Sequence, residues 1–165
     1  MIIFNEDKLV KNTSELTLYH ISKDNHDGKI FYPRLPDGMD FSLNPFKNVN
    51  ENKFIKRICF SSSIEKCITG IQTSRIFLDI NYYVHIIENQ DKIKIYKPSN
   101  RDVYDVEAND EYWIKEPVKL KCIGKILVYD IYRDRQYFTP VRYNKFNSKL
   151  VAFYPKYKYK WVERN

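Results

Sequence analysis

From Glu15 to Ile21 polar and apolar residues alternate with period two, which predicts a half-buried strand with Leu16, Leu18 and His20 on one face. Thr17, Tyr19 and Ile21 take the other face. A turn at Asp27 and Gly28 follows, then a short extended piece, Lys29 to Arg34, broken by Pro33 and Pro36. Residues 37–52 are polar, rich in Asn, Asp and Pro and without a period, as expected of a surface loop. Arg57 to Phe60 reads as a strand that runs directly into a helix. Ser62 and Glu65 have the capping-box spacing, and Ile64, Cys67, Ile68 and Ile71 form an apolar stripe at helical intervals. Gly70 lies near the end of this helix, which spans about 62–72.

Tyr82 to Ile87 and Lys92 to Tyr96 read as two strands joined by a hairpin turn at Glu88 to Asp91, the second alternating lysine with isoleucine like an edge strand. Pro98 to Asn100 ends the pair. Val103 to Val106, Glu111 to Ile114 and Val118 to Ile131 continue the β pattern, with Gly124 as a bulge or bend. Tyr137 to Tyr143 and Leu150 to Tyr154 are candidate late strands. The fold class is therefore α+β: one compact domain, 1–165, of mostly antiparallel sheet, continuous or split, with one well-defined helix. Residues 1–14 read as an N-terminal extension, and 133–165 as a basic, aromatic C-terminal segment.

Composition narrows the class. A chain of 165 residues with 4 Gly, 14 Tyr and 10 Phe is neither Gly-rich nor disordered. Its longest apolar run, Ile123 to Tyr132, is broken by Lys125 and Asp130 and falls short of the roughly 20 residues that span a bilayer. Met1 to Lys11 has no apolar signal core, so a soluble, cytoplasmic protein without membrane contact is expected. Cys59, Cys67 and Cys122, spaced by 8 and 55, make neither a disulfide framework nor a zinc pair; Cys59 and Cys67 are expected to be buried thiols. His20, His26 and His85 are dispersed and suggest no metal. His85 reads as a structural histidine in an apolar strand, and His26 as a solvated turn residue.

The net charge of +7 is unevenly placed. Residues 133–165 hold nine basic and two acidic side chains, and the first 132 residues hold 19 of each sign. Within the basic segment Lys156, Lys158 and Lys160 alternate with Tyr157, Tyr159 and Trp161, giving an extended strand one basic and one aromatic face. Such a surface could track a phosphate backbone and stack bases, or meet an acidic host protein. Alternatively the aromatics pack on the sheet while the lysines protect an edge strand.

No phosphate-binding glycine loop, zinc-protease motif, nucleophile elbow or calcium loop occurs. Three short segments taken in order carry more. They are Leu18 to Ser22, a strand with a histidine; Arg57 to Ser63, a strand running through Phe60 and Ser61 into a helix; and Asp110 to Ile114, a strand opening with Glu111. This order resembles the ADP-ribosyltransferase superfamily in its His–Tyr/Ser–Glu variety, the branch of poly(ADP-ribose) polymerases and diphtheria toxin. The resemblance implies NAD as the cofactor, with His20 and Ser22 on its adenosine side. It also implies Phe60 and Ser61 near the nicotinamide, and Glu111 as the catalytic carboxylate beside an oxocarbenium-like transition state. The second motif departs from the family's tyrosine or Ser-Thr-Ser, since Phe60 is followed by Ser61, Ser62 and Ser63, and Glu107 and Glu116 stand as rival carboxylates.

Arg34 is a candidate to clamp a phosphate or carboxylate with its planar guanidinium, and Arg57 a second candidate for a pyrophosphate; otherwise Arg34 lies on an extended rim and Arg57 makes a surface ion pair. The stretch from Leu18 to about Val128, through Phe31 to Pro36, Arg57 to Ser61, Ser63 to Cys67 and Glu111 to Pro117, also resembles small proteins encoded by phages of low-GC Gram-positive bacteria. That likeness implies an accessory protein acting on a host target or defence complex, either by ADP-ribosylation or as a non-catalytic inhibitor using its basic C-terminal region.

Overall fold

The computed structural model describes residues 7–35, 54–71, 80–100, 102–103, 106–129, 141–144, 149–152 and 158–165. The loop expected over 37–52, and Lys156 and Tyr157, lie outside these residues. Eleven strands are described: β1 (Lys8–Leu9), β2 (Tyr19–Ser22), β3 (Ile30–Phe31), β4 (Ile58–Ser61), β5 (Asn81–Ile87), β6 (Ile95–Lys97), β7 (Glu111–Ile114), β8 (Val118–Tyr129), β9 (Val141–Asn144), β10 (Lys149–Ala152) and β11 (Lys158–Arg164). Two helices accompany them, α1 (Ile64–Ile71) and the single turn α2 (Val106–Asn109).

All pairings are antiparallel, and nine strands form one sheet in the order β1-β6-β7-β4-β2-β5-β8-β11, with β3 also on β8; β9 and β10 make a separate hairpin. The sheet is nearly divided in the middle. β2 and β4 share a single residue pair, Tyr19 with Ser61. Four pairs join β2 to β5, and four join β4 to β7.

Opposite faces of this sheet are covered differently. On one face Ile64, Cys67 and Ile68 of α1 pack on Ile21, Tyr82, Val84, Ile126 and Val128, so the helical stripe meets the β2-β5-β8 half. On the other, Leu18, Ile87, Val118 and Leu120 from that half join Ile58, Phe60, Ile95 and Ile114 from the β4-β6-β7 half. The second cluster therefore joins two half-sheets that share almost no backbone bonds. Burying such side chains is worth about 1.5–3 kcal/mol each.

Several sequence expectations change. The helix is capped by Ser63 rather than Ser62: Ser63 Oγ accepts the Lys66 N–H at 3.2 Å, while the Ser62 hydroxyl donates to Asp110. The stretch 88–91 is no hairpin. Asn89 takes a left-handed conformation and a 3-10 turn at Gln90–Lys92 carries the chain from β5, beside β2 and β8, to β6, beside β1 and β7. Gln90 anchors that crossing by accepting the Leu18 N–H and donating to the Leu16 carbonyl. Val106 belongs to a helical turn rather than a strand, and residues 8–9 of the N-terminal stretch form β1, on β6. No described helix is long and apolar enough to cross a membrane.

Gly124 is the bulge that the pattern suggested. The β5–β8 register skips Ile123 between the pairs Val84–Gly124 and His85–Cys122, and Gly124 has φ 143°. A Cβ there would lie 2.2 Å from the Glu163 carbonyl oxygen and 2.9 Å from the Trp161 ring. Gly124→Ala is expected to destabilise the domain by about 2 kcal/mol or more, through backbone strain and loosening of β11. Equilibrium urea unfolding measures it.

Candidate functional site

The three segments singled out in the sequence lie on neighbouring strands. β2, β4 and β7 are consecutive in the sheet, and Tyr19, Ser61 and Glu111 form one cross-strand row, Tyr19 paired with Ser61 and Ser61 with Glu111. Directly paired residues project to the same face, so Ser61 and Glu111 share a face with Cys59 and Trp113, which are also paired. The rival carboxylates are elsewhere. Glu107 is exposed on α2, and Glu116 accepts the Lys94 N–H at 2.9 Å.

Glu111 is buried and held from both sides. The Trp113 indole N–H donates to Oε1 at 2.6 Å, the Asn109 amide donates to Oε2 at 3.0 Å, and Asn109 Oδ1 accepts the Glu111 backbone N–H at 3.1 Å. Asp110, with φ 45°, makes the tight turn that sets Asn109 against Glu111. Each carboxylate oxygen keeps a second lone pair. Arg57, a candidate pyrophosphate clamp with a surface ion pair as the alternative, is buried with its guanidinium 4.3 Å from the centre of the Trp113 ring, and it donates to the Ile55 carbonyl at 3.2 Å. Arg34 is exposed and faces Arg57 across an isolated bridge closed by two backbone hydrogen bonds of 2.9 and 3.2 Å.

Beyond the Tyr19–Ser61 pair the strands part, and His20 spans the gap. Its Nδ1 lies 3.1 Å from the Cys59 carbonyl oxygen, which can only accept, so the proton sits on Nδ1 and Nε2 is left as an acceptor. Burial, with lesser repulsion from His26 and Arg34, pushes His20 down to about 4, so the ring is neutral at pH 7. Cys59, expected to be buried, is exposed. Its thiol is nevertheless raised well above its usual value, first by the surrounding protein and then by the Glu111 charge. A protonated thiol is not a nucleophile. Cys67 is buried as expected, its S–H directed to the Tyr19 carbonyl oxygen at 3.1 Å.

Phe60 is buried in the core, its ring centre 5.7 Å from that of His20, and so forms a wall behind the histidine. Ser22 is taken up locally: its Oγ accepts the Asp24 N–H at 3.2 Å and lies 3.1 Å from His26 Nε2. The histidines, dispersed in sequence, assemble in space. Ring centres of His20 and His85 are 6.3 Å apart and those of His26 and His85 5.4 Å, with Phe31 beside both His20 and His26. His26 is half-buried, not solvated, and His85 is fully buried. Among the described residues no group of histidine, cysteine and carboxylate side chains has the arrangement to hold a metal.

At the far end of the sheet, Lys158 and Lys160 are exposed on β11 while Tyr159 and Trp161 are half-buried against the core under α1. The alternation thus seats the aromatic face on the protein and leaves the basic face outside.

Sequence reasoning missed Asn109 and Trp113. The Asn-Asp-Glu run and the i, i+2 spacing of Glu111 and Trp113 were the available signals, since alternate strand residues share a face. The chain matches no protein-family model, no curated protein and no solved structure.

Replacing Trp113 by Phe keeps most of the ring but removes one donor from a buried carboxylate. The domain is expected to lose about 1–3 kcal/mol, read by chemical denaturation at pH 7.

Proposed function

We propose that this protein is an ADP-ribosyltransferase-like accessory protein of phage origin that binds NAD, or a related nucleotide, at the split between β2 and β4 and acts on a host target. The observation that carries this reading is the cross-strand row Tyr19–Ser61–Glu111 on the three adjacent motif strands. It sets Ser61 and Glu111 on one face beside the split that His20 spans. A ligand entering the split meets residues from both faces.

The chemistry agrees with the groups available. A neutral His20 with a free Nε2 acceptor suits a sugar hydroxyl, as on the adenosine ribose. The exposed Arg34 suits a phosphate group, while Arg57 lies buried on the Trp113 ring behind the site. In the reaction the bond between ribose C1′ and the nicotinamide nitrogen breaks, and nicotinamide leaves with the electron pair. Positive charge then grows on the ribose, where the Glu111 carboxylate offsets it and accepts from the 2′-hydroxyl. The target's nucleophile would form the new bond at C1′ and release its proton to water. Asn109 and Trp113 hold the carboxylate ready, so it needs no reorientation as charge develops.

A second reading takes the protein as a non-catalytic inhibitor that meets an acidic protein or nucleic acid through its C-terminal region. The exposure of Lys158 and Lys160 on β11 favours it. The seating of Tyr159 and Trp161 on the core makes the contact electrostatic rather than one of base stacking.

Calorimetric titration with NAD, ADP-ribose and a short single-stranded DNA separates the two. On the first reading NAD or ADP-ribose binds saturably, His20→Ala weakens it about tenfold through one lost hydrogen bond, and Glu111→Gln retains binding but releases no nicotinamide. No nucleotide response, together with salt-sensitive DNA binding lost in a Lys158→Glu, Lys160→Glu double variant, moves the function to β11.

A further inference from the structure

The loop between β2 and β3 is tied to Ser22 of β2 at its start and to β5 and β8 beyond it. The His26 N–H donates to His85 Nε2 at 3.0 Å, Asp27 Oδ1 accepts the Cys122 N–H at 2.7 Å, and the Gly28 N–H donates to the Leu120 carbonyl at 2.8 Å. The last two, with the Leu120 N–H donating to the Lys29 carbonyl at 3.1 Å, hold the loop's far end on β8. The first joins the middle of the loop to β5 through a sheet imidazole, while at the loop's start Ser22 Oγ accepts the Asp24 N–H at 3.2 Å and lies 3.1 Å from the His26 ring Nε2. A backbone N–H can only donate, so His85 Nε2 must be the unprotonated nitrogen of its ring. A proton added there would set two donors against each other in a site where His85 is fully buried.

We propose that the loop Lys23–Lys29 is an acid-released latch: protonation of His85 at Nε2 converts the acceptor of the His26 N–H into a donor and lifts the middle of the loop, at His26, from the sheet. The inference stands on this hydrogen bond and does not depend on the nucleotide reading. The His26 ring packs on Phe31 at 4.6 Å and Phe31 on His20 at 5.4 Å, so lifting His26 uncovers the side of the split that His20 occupies.

The surroundings oppose a charge on His85 while the loop is closed. Burial comes first, then repulsion from His20 on β2 and His26 on the loop, and these push it down to about 4. Opposing them are the His20 backbone and the Asp27 carboxylate; across β8 lies the Cys122 thiol. Lys29 and Arg34 in turn disfavour a proton on His26, which burial already lowers. Once the loop is open and water reaches His85, its affinity for a proton returns towards the ordinary 6.5. The sign follows: the open form binds the extra proton between pH 6.5 and about 4, so falling pH favours opening and rising pH closes the latch.

The test is a pH titration of the full chain by NMR, following the His26 amide and the His85 ring together. The opening constant should rise by up to roughly tenfold per pH unit below 6.5, as one-proton linkage requires, and both signals should share one midpoint above the pH of global unfolding. His85→Gln, whose carboxamide oxygen still accepts but does not titrate, should keep the loop closed throughout, and Asp27→Asn should leave the response in place. A His26 amide that stays unchanged until the whole domain unfolds, or that titrates apart from the His85 ring, overturns the latch. So does an unaltered response in His85→Gln.

Discussion

A single ladder pair, Tyr19 with Ser61, joins β2 to β4, and the isolated Arg34–Arg57 bridge adds one more backbone link between the two halves of the sheet. Two such bridges are far too few to fix two half-sheets, so their relation rests on the apolar cluster behind them, where Leu18, Ile87 and Leu120 meet Phe60, Ile95 and Ile114. Sequestering those side chains from water is non-directional. It holds the halves together without demanding ladder hydrogen bonds between them. The strands can thus part beside the bridge and expose backbone groups that other side chains must satisfy. His20 does this for the Cys59 carbonyl and Cys67 for the Tyr19 carbonyl. The split is an opening in the hydrogen-bond network that the core makes affordable.

How far this was legible in the sequence depends on the range of the interaction. The helical stripe of Ile64, Cys67 and Ile68, the strand at Glu111–Ile114, the long strand from Val118 and the bulge at Gly124 are local, and periodicity or a single glycine betrays them. The hairpin expected at 88–91 is absent because Asn89 and the 3-10 turn redirect the chain, and alternation in the flanking segments says nothing of which neighbour each strand will choose. Strand choice is a property of the whole core. The same reason hid the gathering of His20, His26 and His85, which lie far apart in sequence and meet only because β5 sits beside β2 and the following loop folds back over it. Cys59 was misplaced for a related reason: an apolar local pattern implies burial, but its strand borders the split and its side chain is exposed there.

Around Glu111 local and distant constraints coincide. Residues 109, 111 and 113 hold one another through side-chain hydrogen bonds over five consecutive positions, a motif built from strand alternation and one left-handed turn at Asp110. The Arg57 guanidinium, brought by β4, lies on the Trp113 ring from outside that motif. A buried carboxylate with both oxygens engaged and a cation one ring away is a fixed negative charge.

The two cysteines flanking the split differ in their access to solvent. Cys59 is open to solvent, whereas Cys67 is buried, bonded to the Tyr19 carbonyl and pushed up to about 12 by its surroundings. A thiol-reactive dye added to the native protein therefore meets one sulfur on the split and a second that becomes available only when α1 leaves Tyr19. The ratio of the two labelling rates is an internal gauge of how often α1 lifts from β2, carried by the unmodified chain.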